Sequence, residues 1–540
     1  MTPIDSSRYA IDRGDLFGGL TAGIVALPLC LAFGVASGLG PAAGLYGGII
    51  VGMFAAMLGG TAVQVSGPTA PMTLVAAAVV LSNTSPDGKI DLPFVFGVFF
   101  LAGALQITFG VLRLGKYIRF LPYPVLSGLM TGIGVIIVIQ QIFPLLGQAA
   151  PSSNPVTIIG SLDQLPGNIN PSAVLLSAAT LAALFLVPKV RKNVPPSLIA
   201  LVVLTPMAVL LGLSAPVIGS IPSGLPDFAL PNFDSARIGP MLTTALQLAF
   251  LGSIDSLTTS LVADNITKTH HNSDQELVGQ GVGNMAASLF GGIPGAGAFM
   301  RTAINIKAGG RHRSSGVIHA LFLLAVMLGL SGAVKYIPHA ILAGILVAAG
   351  LSIIDYRSLK HFRSAPRADS FVMVLVILLT ILTDLVTSVA AGMIVSSFIF
   401  MAKVARLSER DTELLSATDE SWPDELQIPE EIRQCVVMKR VTGPLFFGFA
   451  NTFRNLAPRT SKGNILVLCM DKVAYIDQSG AYALQDVLID LKAAGWQVLV
   501  VGLRKELVDL LSSLHVIPAL ISDEDSFERI EDLEHVLKVS

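Results

Sequence analysis

The sequence predicts an α-helical polytopic membrane protein that ends in a small α/β domain, and three observations carry the prediction. The composition is 52% hydrophobic and only 13% charged, about half the charged fraction of ordinary soluble domains, and the mean hydropathy is +0.70. Apolar blocks able to cross a hydrocarbon core about 30 Å thick recur from Leu16 to about Ala405, separated by Gly, Pro and short polar clusters. After Arg406 the pattern changes. Leu407 to Glu431 is acidic and polar, and from Val436 to Ser540 charged and apolar residues mix as in a soluble domain. The expected organisation is a transmembrane part over 1–405, a linker over 406–435 and a C-terminal domain over 436–540.

Fourteen apolar segments are expected. The first seven are Leu16–Val35, Ala42–Leu58, a short one near Thr69–Val80, Phe94–Leu112, Pro124–Leu146, Ser172–Val187 and Ser197–Leu213. After a polar stretch rich in Pro and Gly come Ile238–Ala263, Leu277–Leu289, a short one near Gly297–Ile306, Ser315–Leu330, Ile337–Ile353, Asp369–Thr387 and Val389–Val404. The third segment of each set of seven is short. Basic residues cluster at Arg113, Lys116 and Arg119, at Lys189, Arg191 and Lys192, at Lys307, Arg311 and Arg313, and at Arg357, Lys360, Arg363 and Arg367, whereas 147–171 carries no Lys or Arg. By the positive-inside rule the basic loops face the cytoplasm, which places both termini and the C-terminal domain there. The expected setting is a bacterial plasma membrane. The N-terminal apolar stretch has no small-residue cleavage site and does not read as a signal peptide. Cys30, Cys435 and Cys469 lack redox or metal spacing, and the eight histidines are not clustered as zinc ligands would be.

The short segments carry the main functional expectation. Ser66-Gly67-Pro68-Thr69-Ala70-Pro71 opens one, and Gly291 to Ala298, with four glycines and a proline, opens the other. Irregular backbone at membrane depth survives only where protein or water surrounds it, and paired Gly/Pro-interrupted segments point to a substrate site between two repeats. Two facing half-helix N-termini would offer free N–H groups and positive dipole ends to an anion. Close helix packing by small residues is the competing explanation.

Asp255 lies deep in an apolar segment, where a carboxylate costs about 2.5–3.5 kcal/mol and should face a cavity or a cation. Thr259 is one turn further on the same face. With Gly297 they form a candidate sodium set; alternatively Asp255 carries a proton or merely bonds its neighbours. Arg301, on the second short segment, is placed to neutralise an anion, to pair with Asp255, or to reach the cytoplasmic edge near Lys307. The anion-binding candidates are Phe33, Thr69, Ala70, Ala298, Phe299, Met300 and Arg301.

Several stretches resemble the SulP anion transporters: Asp15 to Gly23, Ala26-Leu27-Pro28, Ala32-Phe33-Gly34, Ser66 to Met72, and Glu276 to Asn284. The resemblance covers essentially the whole chain. It implies fourteen segments in inverted repeats of seven, a core domain moving against a gate domain, a C-terminal STAS domain, a homodimer, and a substrate among sulfate, bicarbonate, dicarboxylates and halides. Within that family the likeness is to the sodium-coupled bicarbonate importers: the Asp255 to Thr259 spacing matches their sodium ligands, Thr69 falls at a matching position, and Leu29 stands where sulfate-type members carry Gln. Two residues depart, Phe299 replacing a polar residue and Arg301 resembling other anion-carrying branches, so sulfate and dicarboxylate stay open. Phe33 enters the site through this resemblance.

In the C-terminal domain the pattern reads strand Val436–Val441, strand Ile465–Met470, helix Gly480–Ala494, strand Gln497–Gly502 and helix Lys505–Leu514. Asp477-Gln478-Ser479-Gly480 resembles the phosphorylatable motif of anti-sigma-factor antagonists. Ser479 is therefore a regulatory candidate, a helix N-cap being the plainer role. No nucleophile, base and orienter appear together, which argues against an enzyme. The functional expectation is sodium-coupled uptake of a small inorganic anion by alternating access. An uncoupled anion channel and a membrane-anchored signalling protein with an unidentified regulatory partner are the rivals.

Overall fold

The computed structural model describes residues 12–152, 154–165, 169–190, 195–219, 228, 230–233, 235–410, 413–416, 436–446 and 465–533. Arg191, Lys192, Cys435 and most of the expected linker lie outside the described residues. Two compact units divide the chain, 1–393 and 394–540.

The first half of the membrane unit contributes α1 (Arg13–Ala36), α2 (Pro41–Leu58), α3 (Ala70–Ser82), α4 (Leu92–Val111), α5 (Tyr123–Gln140), α6 (Pro171–Val190) and α7 (Pro196–Leu210). The second contributes α8 (Ile238–Thr267), α9 (Ser273–Leu289), α10 (Phe299–Lys307), α11 (Arg313–Val334), α12 (His339–Ile353), α13 (Arg367–Leu382) and α14 (Leu385–Arg410), the last running past the unit boundary. Seven of the described helices are long and apolar enough to span a bilayer. The third helix of each half, 13 residues in α3 and 9 in α10, is too short to do so. A two-residue strand precedes each, β1 (Ser66–Gly67) and β2 (Ala296–Gly297), and the two pair antiparallel, Ser66 opposite Gly297. Each half contributes seven helical segments, an odd number, so equivalent segments of the two halves run in opposite directions.

Packing divides twelve of the fourteen helices into two sets. Helix α9 packs on α4 and α2, α1 on α11, and α8 on α4 and α3, forming the core; α5 packs on α12 and α13, and α6 on α12 and α7, forming the gate. Interior residues are small and apolar where helices touch. At the strand crossing a Cβ on Gly295 would lie 2.4 Å from the Gly67 carbonyl carbon, so only glycine lets β1 and β2 meet there.

The chain breaks earlier than expected between α13 and α14. Asp384 accepts the N–H groups of Val386 and Thr387 at 3.0 Å and so starts α14, ending the segment expected to run to Thr387. Likewise α5 stops at Gln140, and Ile142–Leu145 forms a separate turn.

In the second unit, β3 (Glu413–Ser416), β4 (Val436–Thr442), β5 (Ile465–Lys472), β6 (Gln497–Val501) and β7 (Ser526–Phe527) form one sheet in chain order, antiparallel at β3–β4 and parallel elsewhere. Helices α15 (Gln478–Ala493) and α16 (Lys505–Ser513) supply Leu484, Leu488, Leu507 and Leu511 to the core on one face. Two strands were not expected. β3 falls inside the stretch assigned to the linker, and β7 is too short to show alternation.

Candidate functional site

Each half-helix begins where its strand ends. Thr69 is the N-cap of α3 and Ala298 that of α10, both with extended backbone and neither with a side-chain capping bond. The first N–H groups of two half-helices are therefore not consumed by side-chain caps. The crossing is tied by Ala298 N–H to the Val65 carbonyl (2.9 Å) and by Val65 N–H to Thr302 Oγ1 (3.1 Å).

Helix α8 presents its polar stripe to this crossing. Ser256 Oγ accepts the Gly297 N–H at 3.0 Å, and Thr259 Oγ1 donates to the Gly297 carbonyl at 3.0 Å. Asp255 Oδ2 and Thr69 Oγ1 are both buried and face each other, and neither has a hydrogen-bond partner beyond the other. Asp255, Thr259, Thr69 and Gly297 thus bring oxygens together around the crossing. A set made only of hard oxygen donors, including one carboxylate, suits a small alkali cation rather than a thiophilic metal.

Arg301 is 2% exposed, which excludes the cytoplasmic-edge role. Its guanidinium donates to the Pro68 carbonyl and to Cys30 Sγ, and it interacts electrostatically with Asp255 without forming a direct ion pair. A Cβ at Gly67, whose φ is +147°, would come within 2.9 Å of Arg301 Nη1; glycine leaves the space that the guanidinium uses. Phe33 is buried one turn after Cys30 on α1, and Ala70 and Ala298 are buried at the helix starts. Phe299 and Met300, 52% and 49% exposed, stand on the open face of α10, in contrast to Arg301.

A second polar system lies beneath the crossing. Glu276 Oε2 accepts the N–H groups of Gly60 and Thr61, and Oε1 accepts from Gln64 and Gln280 at 2.8 Å. Gln280 also donates to Ser66 Oγ, Ser260 donates to Gln64, and Asn284 clasps both backbone groups of Gly295 while donating to Gln106. These residues carry the broken segments and were given no role from sequence. The signal was available: Glu276, Gln280 and Asn284 recur every four residues on one face of a membrane helix.

At the other end of α1, Asp15 is fully buried and takes the Arg311 and His312 N–H groups and the His312 ring, fastening the loop that follows α10. In the soluble unit Ser479 is exposed at the second position of α15. The N-cap is Asp477, whose carboxylate accepts the Gly480 N–H at 2.7 Å, so the capping role expected for Ser479 belongs to Asp477.

Residues 13–376 match the model of the sulfate permease family, and residues 427–524 match the STAS domain. The bicarbonate transporter BicA of Picosynechococcus sp. is 38% identical over 97% of this chain and 94% of its own length. Among solved structures, the transmembrane domain of a cyanobacterium bicarbonate transporter BicA is 46% identical with a TM-score of 0.65, over 70% of this chain and 97% of that one. The murine Solute Carrier 26 family member A9 anion transporter in the inward-facing state gives 0.85 at 21% identity, over 99% of this chain and 93% of that one, a likeness of fold.

Proposed function

The chain belongs to the sulfate permease family of membrane anion transporters, and we propose that it takes up bicarbonate together with sodium by alternating access. The observation that carries the proposal is that Asp255 Oδ2 and Thr69 Oγ1 are buried with no partner beyond each other, one turn along α8 from Thr259, which donates to the Gly297 carbonyl. A carboxylate oxygen buried with no donor beyond one hydroxyl is costly unless something charged completes it. Sodium is the cargo that would do so, held by Asp255, Thr259, Thr69 and Gly297. The anion then sits between the N-termini of α3 and α10, at Thr69–Ala70 and Ala298–Met300, with Arg301 supplying positive charge from below and Phe33 closing the α1 side.

The energetics favour such coupling. Moving one negative charge into a cell costs about 2.3 kcal/mol per 100 mV of inside-negative potential. One sodium ion travelling with a monovalent anion cancels that cost, and each tenfold inward sodium gradient adds about 1.4 kcal/mol. The core carries both ions past the gate as a unit. The similarity to proteins named bicarbonate transporters supports the choice of anion. A second reading, sulfate or a dicarboxylate, is favoured by one observation: a buried guanidinium without a direct carboxylate partner can balance a second negative charge.

The remaining parts of the proposal are a homodimer in a bacterial inner membrane, both termini cytoplasmic, and regulation of the STAS domain by phosphorylation at exposed Ser479 beside the N-terminus of α15. Radiolabelled uptake of bicarbonate, sulfate and fumarate into proteoliposomes, with and without a sodium gradient, tests the transport reading. Bicarbonate uptake that rises with the sodium gradient is expected. Uptake of sulfate alone, or bicarbonate flux indifferent to sodium, overturns it.

A further inference from the structure

One buried donor of the core has no part in the set of Asp255, Thr259, Thr69 and Gly297. Gln106, on α4, is fully buried, and its Nε2 has no hydrogen-bond partner among the described residues. The orientation of its amide is fixed from the far side. Asn284 on α9 donates to the Gly295 carbonyl (3.0 Å) and accepts the Gly295 N–H (2.8 Å), which settles which of its two amide atoms is nitrogen. The same Nδ2 donates to Gln106 Oε1 at 2.7 Å. The other end of the Gln106 amide is therefore the N–H2 group, two donors and no acceptor, and it turns away from Asn284.

It turns toward α8. A Cβ at Gly252 would lie 2.6 Å from Gln106 Nε2 and 3.1 Å from Met72 Sδ, so glycine at this position is what lets the amide stand so close to the helix. Gly252 is one turn before Asp255, and a helical side chain covers the turn N-terminal to its own Cα. A side chain at 255 thus reaches back over the turn against which Gln106 is packed. Helix α3 gives the same register: Thr69 faces Asp255, and Met72, one turn on, faces Gly252.

The core therefore holds, on neighbouring turns of α8, a buried carboxylate oxygen with one hydroxyl partner and a buried amide N–H2 with none. Each is costly as it stands, and the two are complementary, since a hydrogen bond to a carboxylate is among the stronger kinds. We propose that Gln106 is the partner of Asp255 in the carrier without its cation: a change of the Asp255 rotamer brings the carboxylate to Gln106 Nε2, and sodium binding returns it to Thr69, Thr259 and Gly297. The proposal rests on the sodium reading of Asp255. It gives the empty carrier a way to cross back with its buried carboxylate compensated, as removal of one partner from a buried charge otherwise demands.

Sodium-activation curves of bicarbonate uptake by the full chain in proteoliposomes test this exchange of partners. Gln106→Leu removes the donor from the sodium-free state, so half-activation is expected at about tenfold lower sodium, with a lower maximal rate because the returning carboxylate is left uncompensated. Gly252→Ala pushes the amide off α8 while leaving its bond to Asn284, and should move half-activation the same way. A gain in sodium affinity is something misfolding cannot imitate. Thermal midpoints without sodium complete the test: Gln106→Leu should lower the midpoint more in the parent than in the Asp255→Ala background. These midpoints decide on the contact even in a carrier indifferent to sodium, the outcome that would sink the coupling itself. Half-activation that is unchanged or moves to higher sodium in both variants, or midpoint changes that simply add, overturns the proposal.

Discussion

Two acidic side chains of the core, Glu276 and Asp255, are close to the same strand crossing and differ in every respect that matters. Glu276 is 1% exposed and receives four donors, two of them backbone N–H groups of the loop before β1. Asp255 keeps one oxygen buried with no donor beyond the Thr69 hydroxyl. A saturated carboxylate is a joint: its charge is compensated within the protein and its removal strands its partners. An unsaturated one is an open valence, tolerated where a mobile cation completes it. The core therefore separates the work of holding the broken segments together from the work of binding what passes between them.

The largest expected effect tests the joint. Glu276→Ala removes the acceptor of four hydrogen bonds, leaving the Thr61 N–H buried without it, and should cost about 3 kcal/mol, read as a large fall in the thermal midpoint of the purified protein whether or not sodium is present. A stable Glu276→Ala variant with altered sodium dependence would reverse the roles given to the two carboxylates. Next comes the crossing itself. The Gly295→Ala methyl group would overlap the Gly67 carbonyl, and overpacking of this kind costs about 1–3 kcal/mol. Uptake should fall for every anion, with and without sodium; normal transport would show that the strands need not touch.

Asp255→Asn tests the open valence. Sodium-stimulated uptake should fall about tenfold, or about 1.4 kcal/mol, while the sodium-free thermal midpoint stays within a degree or so of the parent. Unchanged sodium stimulation would remove Asp255 from the coupling site.

The smallest effect extends the comparison to a cation in the soluble unit. Lys439 on β4 is 3% exposed, and burial pushes its ammonium down to about 8 from 10.5. Between those values the unfolded chain keeps a proton that the folded one has lost, so stability should rise from about pH 8 to 10.5 and be flat on either side. Lys439→Met should abolish that rise, measured by hydrogen exchange of β4 and β5 in the full chain. A rise that persists would assign it to another group.

Much of the architecture was legible before the structure. Apolar blocks of bilayer length, with a short Gly/Pro-opened segment third in each set, are local properties of composition, and they placed most of α1–α14 to within four residues, the ends of α5, α13 and α14 being further off. Polar interruptions mattered where the boundaries slipped: Asp384 is a cap as well as a charge in an apolar run. Of the site, Asp255, Thr259 and Arg301 stood out because polar and ionisable residues are expensive in lipid, and Thr69 because it opens the first short segment and falls at a position matching the family. Gln64, Gln106, Ser256 and Ser260 did not, since a neutral polar residue within an apolar stretch declares no partner. Phe299 and Met300 looked like site residues by position, and the structure sets their side chains on the exposed face of α10.

The sequence by itself determined that the chain spans a membrane, that its two halves correspond, and that each half breaks at its third segment, because hydropathy and backbone permissiveness are written residue by residue. Only the tertiary structure decided which carboxylate is satisfied. The donors to Glu276 at Gly60, Thr61 and Gln64 are 216, 215 and 212 residues away in the chain, and Thr259 meets Gly297 across 38. Hydrogen bonding is short-ranged and directional, so no property of Glu276 or Asp255 alone distinguishes them. The difference arises when α9 is packed against the loop before β1 and α8 is laid across β2.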